Sequence, residues 1–168
     1  MFVNNTAYIA RGGLYTALGV LFIYLSTITP TSKLYLLGIA SCIVPLSILT
    51  IKIKHSIFMY LSTSLLSLLL MGIKGGVIAY ILFFGLYGFV KYFIEKLRNM
   101  YLEIFLKLVY FNASIGLVYV LYKVFFTDLF KVNIPIYALI LMFQVVFLIF
   151  DYALTLFVAY VHRYIKIS

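Results

Sequence analysis

The stretch GGVIAYILFFGLYGFVKYFIEK, residues 75–96, decides the fold of this chain. Residues 76–90 carry no charge, and Lys91 lengthens the run because its aliphatic stem lets the ammonium group reach the lipid headgroups. About 20 consecutive apolar residues are enough for a helix to cross a bilayer. The stretch therefore predicts a transmembrane helix over residues 75–94.

The same stretch carries two polar or small-residue patterns. Gly85 and Gly88 lie on roughly one face of a helix, where missing side chains let another backbone approach closely. Lys91 and Glu95 have the i, i+4 spacing of an ion pair, at the point where the helix leaves the lipid. Two interpretations are open: a packing groove followed by a solvated ion pair, or a docking or gating surface.

The composition excludes a soluble domain. Hydrophobic residues make up 66% of the 168 residues and charged residues only 10%, and the mean hydropathy is +1.18. The 19% aromatic content consists of Phe and Tyr without Trp, which is sufficient for tyrosine belts at the membrane interfaces. The chain is predicted to be an all-α, polytopic integral membrane protein whose main surroundings are the lipid bilayer.

Apolar runs separated by polar or Pro- and Gly-containing segments divide the chain into six predicted transmembrane helices with short loops. Pro30 in the segment TITPTSK ends the first helix, and the basic cluster at Lys52, Lys54 and His55 ends the second. The charged stretch of residues 91–107 is predicted to be an amphipathic connector along the membrane surface. The whole chain, 1–168, forms one membrane domain, with helices at about 12–28, 34–51, 56–73, 75–94, 104–126 and 134–161.

Charge distribution orients the six helices. Nine Lys and Arg residues fall on the side of the two termini and four on the other side, and cytoplasmic loops carry the excess of basic residues. Both termini are therefore predicted to lie in the cytoplasm, in a multi-pass protein of the cell membrane. The same rule explains the net charge of +9 without nucleic acid as a partner.

Polar residues within the lipid-length runs are candidates for a site. Asp151 and Asn112 are predicted at matching depth, and Lys91 and Lys107 are long enough to reach them. Because an unpaired carboxylate costs at least about 3 kcal/mol at mid-membrane, we expect these four residues to form a buried polar lock. A proton relay or a substrate contact is the other interpretation.

The outer half of the predicted bundle offers a second candidate. Aromatic faces with a few polar groups suit a small-molecule pocket, although an interfacial tyrosine belt has the same composition. The candidate substrate-binding residues are Lys33, Tyr80, Tyr119, Tyr122, Tyr137 and Gln144.

The sequence offers little for catalysis. It has four acidic residues and two histidines, lacks metal-ligand spacings and contains no phosphate-binding loop of the GxxxxGK[ST] type. We therefore expect no enzyme activity, no cofactor and no metal. An ATP-driven process would need ATPases supplied by other chains.

An arginine-led first helix with small residues (ARGGLYTAL), the external segment TITPTSK and the glycine-rich fourth helix resemble the substrate-binding S components of energy-coupling factor transporters. The resemblance implies a subunit for uptake of a vitamin-like small molecule, working with a coupling membrane subunit and ATPases. It also implies that small residues of the first helix, here Gly13 and Ala17, dock on the coupling subunit. The alternative is a non-catalytic membrane scaffold of cell-envelope synthesis, similar to the rod-shape-determining membrane proteins.

Overall fold

The computed structural model describes the backbone of residues 2–29, 31–97, 99–125 and 136–167, and the side chains of 6–29, 31–97, 99–118, 120 and 141–163. These residues contain helices and no strand. The helices are α1 (Phe2–Ile28), α2 (Lys33–Met71), α3 (Gly75–Glu95), α4 (Met100–Phe125) and α5 (Ile136–Ile167). Each of the five is long and apolar enough in its described part to cross a membrane.

Two predicted boundaries differ from the structure. The first helix begins at Phe2 and not near residue 12. The predicted surface connector does not form a separate element, because α3 continues to Glu95 and α4 begins at Met100. Three of its charged residues, Lys91, Glu95 and Lys107, form ion pairs inside the protein. The predicted loop at 127–133 lies outside the described residues.

Helix α2 is interrupted at Lys52, where the second predicted helix ends. Lys52 has φ 68° and ψ 155°, which is far from helical geometry. The two segments on either side, 33–51 and 53–71, correspond closely to the second and third predicted helices. At about 1.5 Å per residue each segment is roughly 28 Å long, close to the thickness of the hydrocarbon core of a bilayer.

Contacts with α3 show that the chain turns back at this break. A Cβ atom built at Gly85 would lie 2.6 Å from the ring of Tyr60, and one built at Gly88 would lie 2.7 Å from Val44. Gly85 and Gly88 are about 4.5 Å apart along a helix, whereas a straight α2 would separate Val44 from Tyr60 by about 24 Å. The two segments of α2 therefore run in opposite directions along α3.

Helix α1 lies against both segments of α2. Near its start, Tyr8 contacts His55 with ring centroids 5.5 Å apart, and Gly12 faces Ile51. Further along, Gly19 is so close to Thr63 that an added Cβ would lie 2.9 Å from the threonine methyl group. These contacts place the break at Lys52 beside the N-terminal part of α1.

The main core fills the space between α1, α2 and α3. Ile23, Val44, Val77 and Tyr80 are almost fully buried in it. A second, aromatic cluster joins α3 to α4 and α5 through Tyr87, Phe111, Phe147 and Leu154, in which Phe111 and Phe147 stack with centroids 4.4 Å apart. This second cluster lies directly beside the charged residues described next.

Candidate functional site: a buried ionic cluster

Three helices contribute charged side chains to one buried cluster. Helix α3 presents Tyr87, Lys91 and Glu95, which are spaced four residues apart and so lie on one face of the helix. Helix α4 contributes Lys107 and helix α5 contributes Asp151. We call these five residues, together with Thr155 on α5, the ionic cluster.

The two lysines and the two carboxylates form a closed ring of ion pairs. Lys91 Nζ lies 2.7 Å from Glu95 Oε1 and also contacts Asp151 Oδ1. Lys107 Nζ lies 2.8 Å from Asp151 Oδ2 and 3.3 Å from Glu95 Oε1. Each lysine therefore touches both acids, and the four charges sum to zero.

Hydroxyl groups complete the coordination of the ring. Tyr87 donates a hydrogen bond to Asp151 Oδ1, so that this carboxylate accepts from three donors. Lys91 donates to Thr155 Oγ1 at 2.7 Å, and the Thr155 hydroxyl donates to the backbone carbonyl of Asp151. Lys91 thus has a partner for each of its three N–H groups.

Burial makes this arrangement costly to disturb. The side chains of Lys91 and Lys107 are 2% and 7% exposed, Asp151 is 14% exposed, and Glu95 is 32% exposed. Removing one member of a buried pair leaves an uncompensated charge, which typically costs about 3–5 kcal/mol. Glu95 is the most exposed of the four charged members of the cluster.

The structure brings together Lys91, Lys107 and Asp151 of the predicted polar lock but not Asn112. The Asn112 side chain is exposed and donates to the carbonyl of Leu108 in its own helix, at 2.8 Å. Matching depth was not sufficient, because Lys107, lying on another face of α4, is the residue directed at Asp151. The i, i+4 pairing of Lys91 and Glu95 is present, but its lysine is buried within the cluster while Glu95 is partly exposed.

Sequence reasoning missed Tyr87 and Thr155. A signal was available, since Tyr87 and Glu95 each lie four residues from Lys91, and Thr155 lies four residues after Asp151. Helical spacing of this kind places side chains on the same face. It does not show which faces of different helices meet.

Next to the cluster, α3 contains a π-helical segment, Tyr80–Phe84. Such segments free backbone carbonyl groups from the regular helical pattern. Tyr60 donates to the carbonyl of Ile81 at 2.7 Å, and Tyr110 donates to those of Leu82 and Phe83 at 3.1 and 3.2 Å. Tyrosines of α2 and α4 thereby anchor the middle of α3.

Three of the predicted substrate residues, Lys33, Tyr80 and Gln144, have described side chains, and they lie on three different helices, α2, α3 and α5. Tyr80 is 1% exposed and packs against Tyr60 in the core. Lys33 is exposed at the first residue of α2, and Gln144 is half-buried on α5. Tyr119, Tyr122 and Tyr137 have side chains outside the described set.

The glycines fall into two groups. Gly85 and Gly88 are buried against α2, so their face is closed by the chain's own packing. Gly13 has no atom within 4 Å of a built Cβ, and Ala17 is exposed. Both residues line a groove of about 1140 Å³ between α1 and the second segment of α2.

Metal binding is not indicated by the described residues, in which no group of three His, Cys, Asp or Glu side chains converges. The charges of the ionic cluster already satisfy one another. Its chemistry is therefore that of a neutral, hydrogen-bonded ion-pair network that joins three helices.

Comparison of this chain with protein-family models, curated proteins and solved structures finds no match.

Proposed function

We propose that this protein is the membrane-embedded, substrate-binding subunit of a small-molecule uptake transporter that works with a separate coupling subunit and separate ATPases. The observation that carries the proposal is the open small-residue face of α1 at Gly13 and Ala17. In lipid, small residues allow close helix packing, and Gly19, Gly85 and Gly88 are already used in this way within the chain. Gly13 and Ala17 remain available to a helix from another subunit.

The ionic cluster supports the same proposal by holding α3, α4 and α5 together. A subunit that moves against a partner during transport needs a body that does not come apart. A neutral buried network provides such a connection, because breaking any one pair exposes a charge to an apolar environment.

The proposed topology has six membrane crossings with both termini in the cytoplasm of a plasma-membrane protein. The reversal of α2 at Lys52 supports it, since this turn places Lys52 and Lys54 beside the N-terminal part of α1. Ser32→Cys and Leu97→Cys in a Cys42→Ser background test the topology with impermeant thiol reagents. Labelling of position 32 from outside and of position 97 from inside is expected, and the opposite pattern would exclude it.

The docking proposal is tested by enlarging the open face of α1. Gly13→Leu combined with Ala17→Leu should leave the chain folded but prevent recovery of the coupling subunit and ATPases with a tagged protein, because the added side chains hold a partner helix away. The matched control is Ala113→Leu with Gly116→Leu, since both residues are exposed on α4 and nothing lies within 4 Å of Gly116. The control should retain the partners.

Mass spectrometry of the recovered proteins and small molecules distinguishes the transporter proposal from the alternative of a membrane scaffold. A transporter subunit should co-purify with ATPases, a coupling subunit and a bound small molecule. Recovery of cell-envelope synthesis proteins without any ATPase would contradict the transporter assignment and support the scaffold.

A further inference from the structure

We infer that the groove between α1 and the second segment of α2 binds an anionic phospholipid, with the phosphate at the basic end of the groove and an acyl chain along its apolar wall. The site belongs to the single chain in a bilayer, so it does not rest on the transporter assignment. In a complex, a helix docked along Gly13 and Ala17 would displace the acyl chain.

The body of the groove suits an acyl chain. Its walls are largely aliphatic and aromatic, and they extend from Tyr8 and His55 at one end to Leu70 at the other. Residues 55–70 of a helix span about 22 Å, which is most of the hydrocarbon core of a bilayer. Representative wall residues are Val20, Leu21, Phe58, Met59 and Leu66.

Positive charge is concentrated at the end of the groove near the α2 break. Lys52 Nζ lies 5.7 Å from the centre of the Tyr8 ring, and His55 contacts the same ring. Lys54 and Arg11 are exposed beside these groove-lining residues. The left-handed backbone of Lys52 lets the chain turn here, so the basic residues Lys52, Lys54 and His55 fall at one level.

These cations have no carboxylate partner among the described residues, where the ion pairs involve only Lys91 and Lys107 with Glu95 and Asp151. An unneutralised basic end joined to an apolar groove matches a ligand that is anionic at one end and apolar at the other. Anionic phospholipids have this chemistry, and basic residues near the membrane surface attract them. A partner helix would satisfy the apolar wall but leaves the charge at its end unexplained.

Native mass spectrometry of the purified chain in detergent tests the proposal directly. Phosphatidylglycerol and phosphatidylcholine with identical acyl chains serve as probes, and the wild type should retain the anionic lipid preferentially. Lys52→Gln combined with Lys54→Gln should weaken phosphatidylglycerol binding about 25-fold, at about 5-fold per lysine, and leave phosphatidylcholine binding unchanged. Glutamine at position 52 keeps the same backbone requirement as lysine.

Lys33→Gln with Lys74→Gln is the matched control, because both lysines are exposed and far from the break along α2, Lys33 at its first residue and Lys74 three residues after its end. This pair should bind phosphatidylglycerol as the wild type does. If the double variant melts early, Lys54→Gln alone is used, because position 54 is exposed. Its affinity for phosphatidylglycerol should fall about 5-fold. The proposed lipid site would be contradicted if the wild type retained the two lipids equally. It would also be contradicted if the Lys33/Lys74 control lost as much phosphatidylglycerol binding as the Lys52/Lys54 variant.

Discussion

The α2–α3 interface and the α3–α4–α5 interface hold helices together by different physical means. Between α2 and α3, Gly88 faces Val44 and Gly85 faces Tyr60 at distances that leave no room for a methyl group. Between α3, α4 and α5, the ring formed by Lys91, Glu95, Lys107 and Asp151 makes the connection. The first interface depends on shape and tolerates no added volume, whereas the second depends on charge balance.

The difference follows from the environment of a membrane helix. Lipid tails are as apolar as leucine, so apolar side chains gain little by leaving lipid for another helix. Close contact of backbones, or pairing of groups that lipid cannot solvate, must supply the association energy. Helices α4 and α5 expose many large apolar side chains, among them Phe105, Val109, Met142 and Ile149, and for them the ionic cluster is the more specific connection.

The largest effect is expected from breaking the charge balance. Asp151→Leu leaves two buried ammonium groups with Glu95 as the single carboxylate in their ring, which should cost about 3–5 kcal/mol. Asp151→Asn should cost less, because its amide oxygen still accepts hydrogen bonds from Tyr87 and Lys91. Melting temperatures in detergent measure both.

Adding Lys107→Met to Asp151→Leu restores the neutrality of the ionic cluster and should recover part of the lost stability. Gln144→Leu, on the same helix as Asp151, is the control. If Asp151→Leu melts at the wild-type temperature, the ionic cluster does not hold the three helices together.

A smaller effect is expected from filling the steric interface. Gly88→Ala places a methyl group 2.7 Å from Val44, and forcing extra volume into a packed interface costs about 1–3 kcal/mol. Val44→Ala in the same chain should restore much of the stability. Gly116→Ala, where the added group meets nothing, should keep or raise the melting temperature. If Gly88→Ala and Gly116→Ala behave alike, α2 and α3 are not in close contact.

The break in α2 is tested by comparing glycine with alanine at position 52. Inside a regular helix, alanine is more stable than glycine by about 1 kcal/mol. At the φ of 68° and ψ of 155° of Lys52, a non-glycine residue carries about 1–3 kcal/mol of backbone strain. Lys52→Gly should therefore melt higher than Lys52→Ala. The reverse order would mean that α2 continues as one helix.

The smallest effect is expected at Asn112. Because its side chain is exposed and bonds to its own helix, Asn112→Leu should change the free energy of unfolding by no more than about 0.5 kcal/mol. A loss of stability comparable to that of Asp151→Leu would mean that Asn112 belongs to the polar lock.

Helix positions were largely predictable because long apolar runs carry a strong signal. The boundaries near residues 28, 51, 75 and 94 follow from Pro30, from the Lys52–His55 cluster and from Gly75, and the structure places helix ends or a break close to each of them. The start of α1 and the course of residues 91–107 were predicted incorrectly. In both cases polar residues were interpreted as solvent-facing, whereas residues 2–11 belong to α1 and Lys91, Glu95 and Lys107 pair within the ionic cluster.

The sequence by itself determined that the chain is helical and apolar enough to cross a membrane, and that Asp151 should be paired or protonated, because an isolated carboxylate is too costly in an apolar environment. Only the tertiary structure decided which side chains pair with Asp151. Glu95 and Tyr87 entered the cluster while Asn112 did not, and Gly85 was enclosed while Gly13 stayed open. The physical reason is that helical periodicity fixes which residues share a face, whereas the rotation and contact of each helix depend on packing between distant segments.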